Sequence, residues 1–167
     1  RLGVTLRPHL KTAKSTEIAR RLSGGVTGPI TVSTLAEAEA FHAAGFTDIL
    51  YAVGIAPQKL TRVQALRAKG CDLVVILDGI EQASTVAQAG VPALIEIDSD
   101  GHRGGRRPDE PVLVEIGRIL HAKGALRGVM NASDADALGA GLSSMAIFIL
   151  MAAVLLWRPR GLFPAHA

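Results

Sequence analysis

The sequence predicts an α/β fold, an incomplete (β/α)₈ barrel of about six parallel strands followed by a hydrophobic C-terminal helix. Three observations point there. Short apolar runs alternate with amphipathic helical patterns as far as about residue 130. Gly and Pro punctuate these units with a period of roughly 20 to 25 residues, which suggests a barrel or a doubly wound sheet rather than a solenoid. The chain has 167 residues, whereas a complete barrel needs about 250. Periodicity by itself leaves a doubly wound sheet open, although no glycine fingerprint opens the first helix.

The strand candidates are Val4–Leu6, Ile30–Val32, Ile49–Val53, Leu73–Leu77, Leu94–Ile97 and Leu126–Val129. Several are apolar at every position, as expected of parallel strands covered on both faces. Between them, Thr34–Ala44 places Leu35, Ala38 and Phe41 at helical spacing. Thr34 and Glu37 have the spacing of a capping box, and Gly45 is a stop signal. Pro57 suits a helix start, and Leu60, Val63 and Leu66 form an apolar stripe that ends before Gly70. Gly79–Ala89 and Glu110–Ala122 complete the helices, each followed by a glycine.

The character of the chain changes near residue 131. Residues 1–130 read as a partial barrel domain, 131–136 as a polar junction, 137–158 as a hydrophobic helix and 159–167 as a short basic tail. Ala137–Trp157 contains no charged residue and is long enough to cross a bilayer as a helix. Trp157, Arg158 and Arg160 then supply an interfacial aromatic and basic flank. The expectation is a cytoplasmic barrel portion with membrane contact through residues 137–157. No secretory signal pattern is present near Arg1.

Net charge is +3, and the basic residues are dispersed rather than clustered. Aromatic residues make up 4% of the chain, too few for base-stacking platforms, so no nucleic-acid partner is expected. The lone Cys71 excludes an intramolecular disulfide and reads as a small residue leading into a strand.

Chemistry concentrates at the expected C-terminal ends of the strands, where a parallel barrel carries its active site. Lys11 lies just beyond the first strand candidate. A partly desolvated lysine there can form a Schiff base with an aldehyde cofactor, and an ordinary loop lysine satisfies the same spacing. Asp98 and Asp100 flank the loop after the fifth strand, and Tyr51 ends its strand toward the same rim. The carboxylates can serve as acid and base or as plain strand-end residues. His42 and His121 lie on helices and read as surface residues.

The segments RPHLKTAKSTEIAR, GPITVSTLAEAEAF, DILYAVGI and LIEIDSDGHRGG, in that order, resemble the fold-type-III pyridoxal-phosphate (PLP) enzymes of the D-threonine aldolase and D-serine dehydratase family, with an alanine-racemase-like barrel. The resemblance covers about three-quarters of the chain. It implies that Lys11 is the catalytic lysine that covalently holds PLP, and that Arg7 and His9 of the same motif help shape the cofactor site. Arg103 matches the arginine that approaches the pyridoxal ring, where a guanidinium tunes the ring's electron uptake. The implied substrate is a small-molecule D-amino acid, D-threonine-like for aldol cleavage or D-serine-like for dehydration. Amino-acid racemisation is a further alternative on the same fold.

Departures accompany the match. Many relatives read KTHK where this chain has Lys11–Thr12–Ala13–Lys14, and GVMTHAG where it has Gly128–Val129–Met130–Asn131–Ala132. The last barrel strands, the phosphate-binding loops and the C-terminal domain of the family have no counterpart. Residues 131–167 carry no His/Cys pair at ligand spacing, so no metal site is assigned. Leu138–Phe163, with LLWRPRGLF, is similar to the terminus of branched-chain amino-acid ABC transporter permeases. The second functional reading is therefore a membrane-anchored, non-enzymatic chimera.

Overall fold

The computed structural model describes residues 6–99 and 104–131. The elements run α1 (Thr16–Leu22), β1 (Ile30–Val32), α2 (Leu35–Ala43), β2 (Asp48–Gly54), a 3₁₀ turn at Pro57–Lys59 and α3 (Leu60–Ala68). They continue with β3 (Asp72–Leu77), α4 (Ile80–Gln88), β4 (Ala93–Ile97), α5 (Val112–Ala122) and β5 (Leu126–Asn131). The five strands form one sheet in the order β1-β2-β3-β4-β5, and every pairing is parallel. Each strand is thus hydrogen-bonded to the next in sequence, the arrangement of a barrel wall. A doubly wound sheet, the alternative left open by periodicity, would reverse strand order at a switch point.

A sixth strand was expected at Val4–Leu6. Residues 4 and 5 lie outside the described residues, and the pairing that is present sits slightly later in the chain. Thr31 N–H donates to the Pro8 carbonyl at 2.9 Å, and Leu10 N–H donates to the Thr31 carbonyl at 2.9 Å. His9 therefore bridges Thr31 in parallel register. Pro8, lacking an N–H, contributes only its carbonyl, as an edge position allows.

Register sorts the sheet into two faces. Ile30, Val32, Ile49, Tyr51, Leu73, Val75, Leu77, Ala93 and Ile95 alternate onto one face and are buried. They pack with Leu35, Ala38, Phe41, Leu60, Val63, Leu66, Val86 and Ile116 from the helices. Each such aliphatic side chain contributes about 1.5–3 kcal/mol of transfer free energy. The other face carries Thr31, Leu50 and Val74 in register, with His9 beside Thr31. This is the inner face of the barrel wall.

Local signals explain the helix starts. Thr34 and Glu37 form the expected capping box, with Thr34 Oγ1 accepting the Glu37 N–H at 3.1 Å. Gly79 begins α4, and Gln82 Oε1 accepts the Asp78 and Gly79 N–H groups. Helix α1 was absent from the sequence expectation. Ser15 caps it, accepting the Ile18 N–H at 3.4 Å, and Ala19 is its one fully buried residue. With so narrow an apolar stripe, its periodicity is weak.

Among the described residues no helix is long and apolar enough to cross a membrane. The expected junction, hydrophobic helix and basic tail lie outside the described residues.

Candidate functional site

Arg7, His9 and Lys11 lie along one extended segment at the β1 edge, and the structure separates them along the strand direction. Arg7 belongs to the end where strands begin. Its guanidinium donates to the carbonyl of Ile30, the first residue of β1, at 3.2 Å and pairs with Asp48, the first residue of β2, at 2.7 Å. With Asp48, Asp72 and Arg127 it rims a cavity of about 240 Å³ whose apolar floor is Leu50, Val74 and Leu94. Arg7 ties the N-terminal ends of β1 and β2 together, while Lys11 leaves the sheet at the C-terminal end.

His9 and Lys11 are brought together. The Lys11 N–H donates to His9 Nδ1 at 3.2 Å. An Nδ1 that accepts leaves the proton of a neutral ring on Nε2, so this hydrogen bond favours that tautomer of His9. Lys11 is exposed on a turn spanning Lys11–Ala13. The Lys14 N–H closes this turn on the Leu10 carbonyl at 2.9 Å.

Lys14 has φ of 45° and is the only non-glycine residue with positive φ among the described residues. Its ammonium pairs with Glu37 Oε1 at 3.2 Å. Glu37 Oε2 in turn accepts the N–H groups of Ser33 at 2.9 Å and Thr34 at 3.2 Å. Burial pushes the Glu37 carboxyl upward. The hydrogen bond from Ser33, then the hydrogen bond and charge of Lys14, outweigh it and hold the carboxyl below its ordinary range.

Arg103 and Asp100 lie outside the described residues, but the base of their loop is defined. Arg106 bridges Ile97 in parallel register, the Asp98 N–H donates to the Arg106 carbonyl at 2.9 Å, and the Arg106 N–H donates to the Glu96 carbonyl at 3.0 Å. Asp78 pins the same segment. Its carboxylate accepts the Gly105 N–H at 3.2 Å, and its carbonyl accepts from Arg106 Nε at 2.9 Å. Glu96 stands near Asp78 and Asp98. Burial, then the charges of those two carboxylates, pushes its pKa up. Asn131, at the end of β5, donates to Ser99 Oγ at 2.8 Å.

Tyr51 does not reach the rim. It is fully buried on the helix-covered face, and its hydroxyl accepts from Lys59 Nζ at 2.8 Å. It is a packed core residue of its strand. His42 is more engaged than a surface residue, with its ring nitrogens 3.3 Å from the Phe46 carbonyl and 3.2 Å from the Lys69 carbonyl. Glu37, Lys14 and Asp78 were missed as site neighbours. Glu37 carried a capping signal only, and nothing in local spacing marks a left-handed lysine or a long-range anchor such as Asp78.

The described residues suit one end of PLP. Lys11 is an exposed residue at the strand C-termini, hydrogen-bonded through its backbone to His9. At the starts of α2 and α4 the N–H groups of Ser33 and Thr34 are taken by Glu37, and those of Asp78 and Gly79 by Gln82, so these four are not offered to a phosphate. Among the described residues no group of His, Cys, Asp and Glu side chains has the arrangement of a metal site.

A sheet of parallel strands, each hydrogen-bonded to the next in sequence, with helices packed on one face is the wall of an α/β barrel domain. The chain belongs to the alanine racemase N-terminal domain family, which matches residues 1–143. It is 48% identical over 137 residues to D-threo-3-hydroxyaspartate dehydratase of Delftia sp., covering 77% of this chain and 36% of that protein. The solved structure of that dehydratase superposes with a TM-score of 0.72 at 47% identity, covering 77% of this chain and 36% of that chain.

A D-serine dehydratase of Dictyostelium discoideum is 33% identical over 122 residues, covering 64% of this chain and 31% of that protein. The structure of D-threonine aldolase from Filomicrobium marinum matches with a TM-score of 0.64 at 29% identity, over 75% of this chain and 36% of that one. The chain thus spans about a third of the length of the curated relatives it matches. The likeness of the tail to a permease terminus has no support in these comparisons.

Proposed function

We propose that this chain is the lysine-bearing part of a PLP-dependent lyase acting on a small D-amino acid with a hydroxyl on Cβ. The observation that carries the reading is the Lys11 turn at the strand C-termini, its backbone hydrogen-bonded to His9, in a chain whose relatives are D-amino-acid dehydratases and an aldolase. When bound, PLP supplies a conjugated ring that takes up the electron pair of a bond broken next to the substrate's amine-bearing carbon. Lys11 contributes the amine that holds the cofactor's aldehyde carbon, with loss of one water. His9, held by the Lys11 N–H, presents Nε2 as a proton carrier on the inner face. Arg103 is proposed, from its position in the motif, to face the cofactor ring. Aldol cleavage, dehydration and racemisation differ in which bond is aligned, and dehydration is favoured by the relative with the highest identity reported above.

Mixing the purified chain with PLP, reducing with borohydride and mapping the modified peptide tests this. The expected result is a visible absorption band lost on reduction and a pyridoxyl group on Lys11. Labelling spread evenly over Lys11, Lys59 and Lys69 would overturn it.

The domain division at residues 131–136 and a membrane contact through Ala137–Trp157 are proposed on sequence alone. An uncharged stretch of this length matches the roughly 30 Å hydrocarbon core. Retention in the pellet after alkaline carbonate extraction is expected, and release into the supernatant would refute the contact.

A further inference from the structure

We propose that Arg7 is a positioning residue for Lys11: its guanidinium fixes the register of residues 7–11 against β1, and with it the point at which Lys11 leaves the sheet. The inference rests on the reading of Lys11 given above and adds the element that sets where that lysine stands.

Residues 7–11 have a thin hold on β1. Two backbone hydrogen bonds join them to the strand, and both are made by Thr31. Its N–H donates to the Pro8 carbonyl, and its carbonyl accepts the Leu10 N–H, each at 2.9 Å. Pro8 has no N–H to add, and β1 is only three residues long. So short a pairing specifies its register weakly. A slip of one residue would move Lys11 about 3.3 Å along the sheet and turn His9 away from the inner face.

Arg7 supplies the missing constraint. Its Nη1 donates to the Ile30 carbonyl at 3.2 Å, and its Nη2 meets Asp48 Oδ1 at 2.7 Å. Ile30 is fully buried and pairs with Ile49, so both acceptors belong to the fixed starts of adjacent strands. A planar fork that serves a carbonyl on one strand and a carboxylate on the next tolerates little displacement along either. Toward the other end of the segment, Leu10 is buried in the core. Arg7 and Leu10 thus bracket the pairing with Thr31, and Lys11 follows directly. The effect of Arg7 on Lys11 runs through the backbone between them.

The test uses the full chain and two substitutions. Arg7→Gln removes the charge and shortens the reach, whereas Arg7→Lys keeps the charge but loses the fork. Two readouts are taken. One is amide hydrogen exchange, measured without any cofactor. The other is the share of pyridoxyl label on Lys11 relative to Lys59 and Lys69 after PLP and borohydride.

In Arg7→Gln the Leu10 and Thr31 amides should exchange about fivefold faster, a size set by the solvent screening of a part-exposed ion pair. The Val75 and Ala93 amides, which donate to the Pro92 and Ala125 carbonyls, should keep their rates. The Lys11 share of the label should fall by about threefold. Arg7→Lys should recover about half of both changes, and it decides the test against wild type should Arg7→Gln lose the native circular dichroism spectrum. Wild-type exchange at Leu10 and Thr31, or a uniform rise across all strands, would overturn the proposal. So would a localised rise with an unchanged Lys11 share. Absence of pyridoxyl label on wild-type Lys11 would instead refute the function, and the exchange rates would still decide the role of Arg7 in register.

Discussion

The side chain of His42, on α2, lies with Nε2 3.2 Å from the carbonyl oxygen of Lys69, the residue that ends α3. The same relationship recurs on either side. Arg20 of α1 donates to the carbonyl of Ala44, which ends α2, at 2.7 Å. Gln64 of α3 donates to the carbonyl of Ala89, which ends α4, at 2.9 Å. Helices α1, α2 and α3 thus each place a polar side chain on the last turn of the next helix. Carbonyls at a helix C-terminus lack an intrahelical donor, and the helix dipole makes them favourable acceptors.

Removing one of these donors should loosen the next helix rather than the one that carries it. Gln64→Leu keeps apolar bulk on α3 and deletes the donor to Ala89. A cost of about 0.5–1.5 kcal/mol is expected, read as a lower urea midpoint with an unchanged slope. Native-state hydrogen exchange should place the loss of protection at the end of α4. Protection lost only within α3 would contradict a cross-helix role.

The spacing of Leu60, Val63 and Leu66 marked the buried stripe of α3, and Thr34 with Glu37 marked the start of α2, because those signals are local and periodic. The pairing of Pro8–Leu10 with Thr31 was not legible, since Pro and His interrupt the apolar run that a strand is recognised by. That Lys11 follows a strand-like segment was legible in the order of residues. The position of Arg7 was not, because a motif records neighbours in sequence, whereas Asp48, which claims its guanidinium, is 41 residues away. The Asp78 anchor on Gly105 spans 27 residues and leaves no sequence pattern for the same reason.

Gly105 should be among the least replaceable residues of the described chain. Its φ is +109°, and a Cβ there would stand 2.9 Å from the Asp98 nitrogen and 3.0 Å from the Glu96 carbonyl oxygen. Both neighbours are backbone atoms of the strand end and cannot rotate away. Gly105→Ala should cost more than about 2 kcal/mol, combining left-handed strain with overpacking. Gly90→Ala is the control, with φ of +65° and open space around the Cβ position, and should cost about 1 kcal/mol. Equal midpoints for the two variants would show that the close approach at Gly105 is unimportant.

Cys71 is buried, and burial pushes its thiol up to about 11, from an ordinary value of 9.0. The thiol form is thus favoured by folding. This contribution is fully present below the unfolded value and is lost as pH rises through the folded one. Stability should fall between roughly pH 9 and 11 more steeply in wild type than in Cys71→Ala. A thiol reagent at pH 8 should react only as fast as the chain unfolds. Immediate reaction would place the sulfur in contact with solvent.

Glu96 gives the complementary case at low pH. Its carboxyl is pushed up first by burial and then by the charges of Asp78 and Asp98, so folding favours the protonated form. The stabilisation is therefore complete below the usual carboxylate value of 4.5 and is lost as pH rises through the folded value. Above that, the charged Glu96 opposes folding. Glu96→Gln retains the shape and removes the charge, so it should raise stability at pH 7. At pH 4 the two proteins should be nearly equal, because wild-type Glu96 is then largely neutral. Urea denaturation of both at the two pH values decides it. A variant that is destabilised at pH 7 would mean that the Glu96 charge is compensated, and that the three carboxylates do not act on one another as their placement implies.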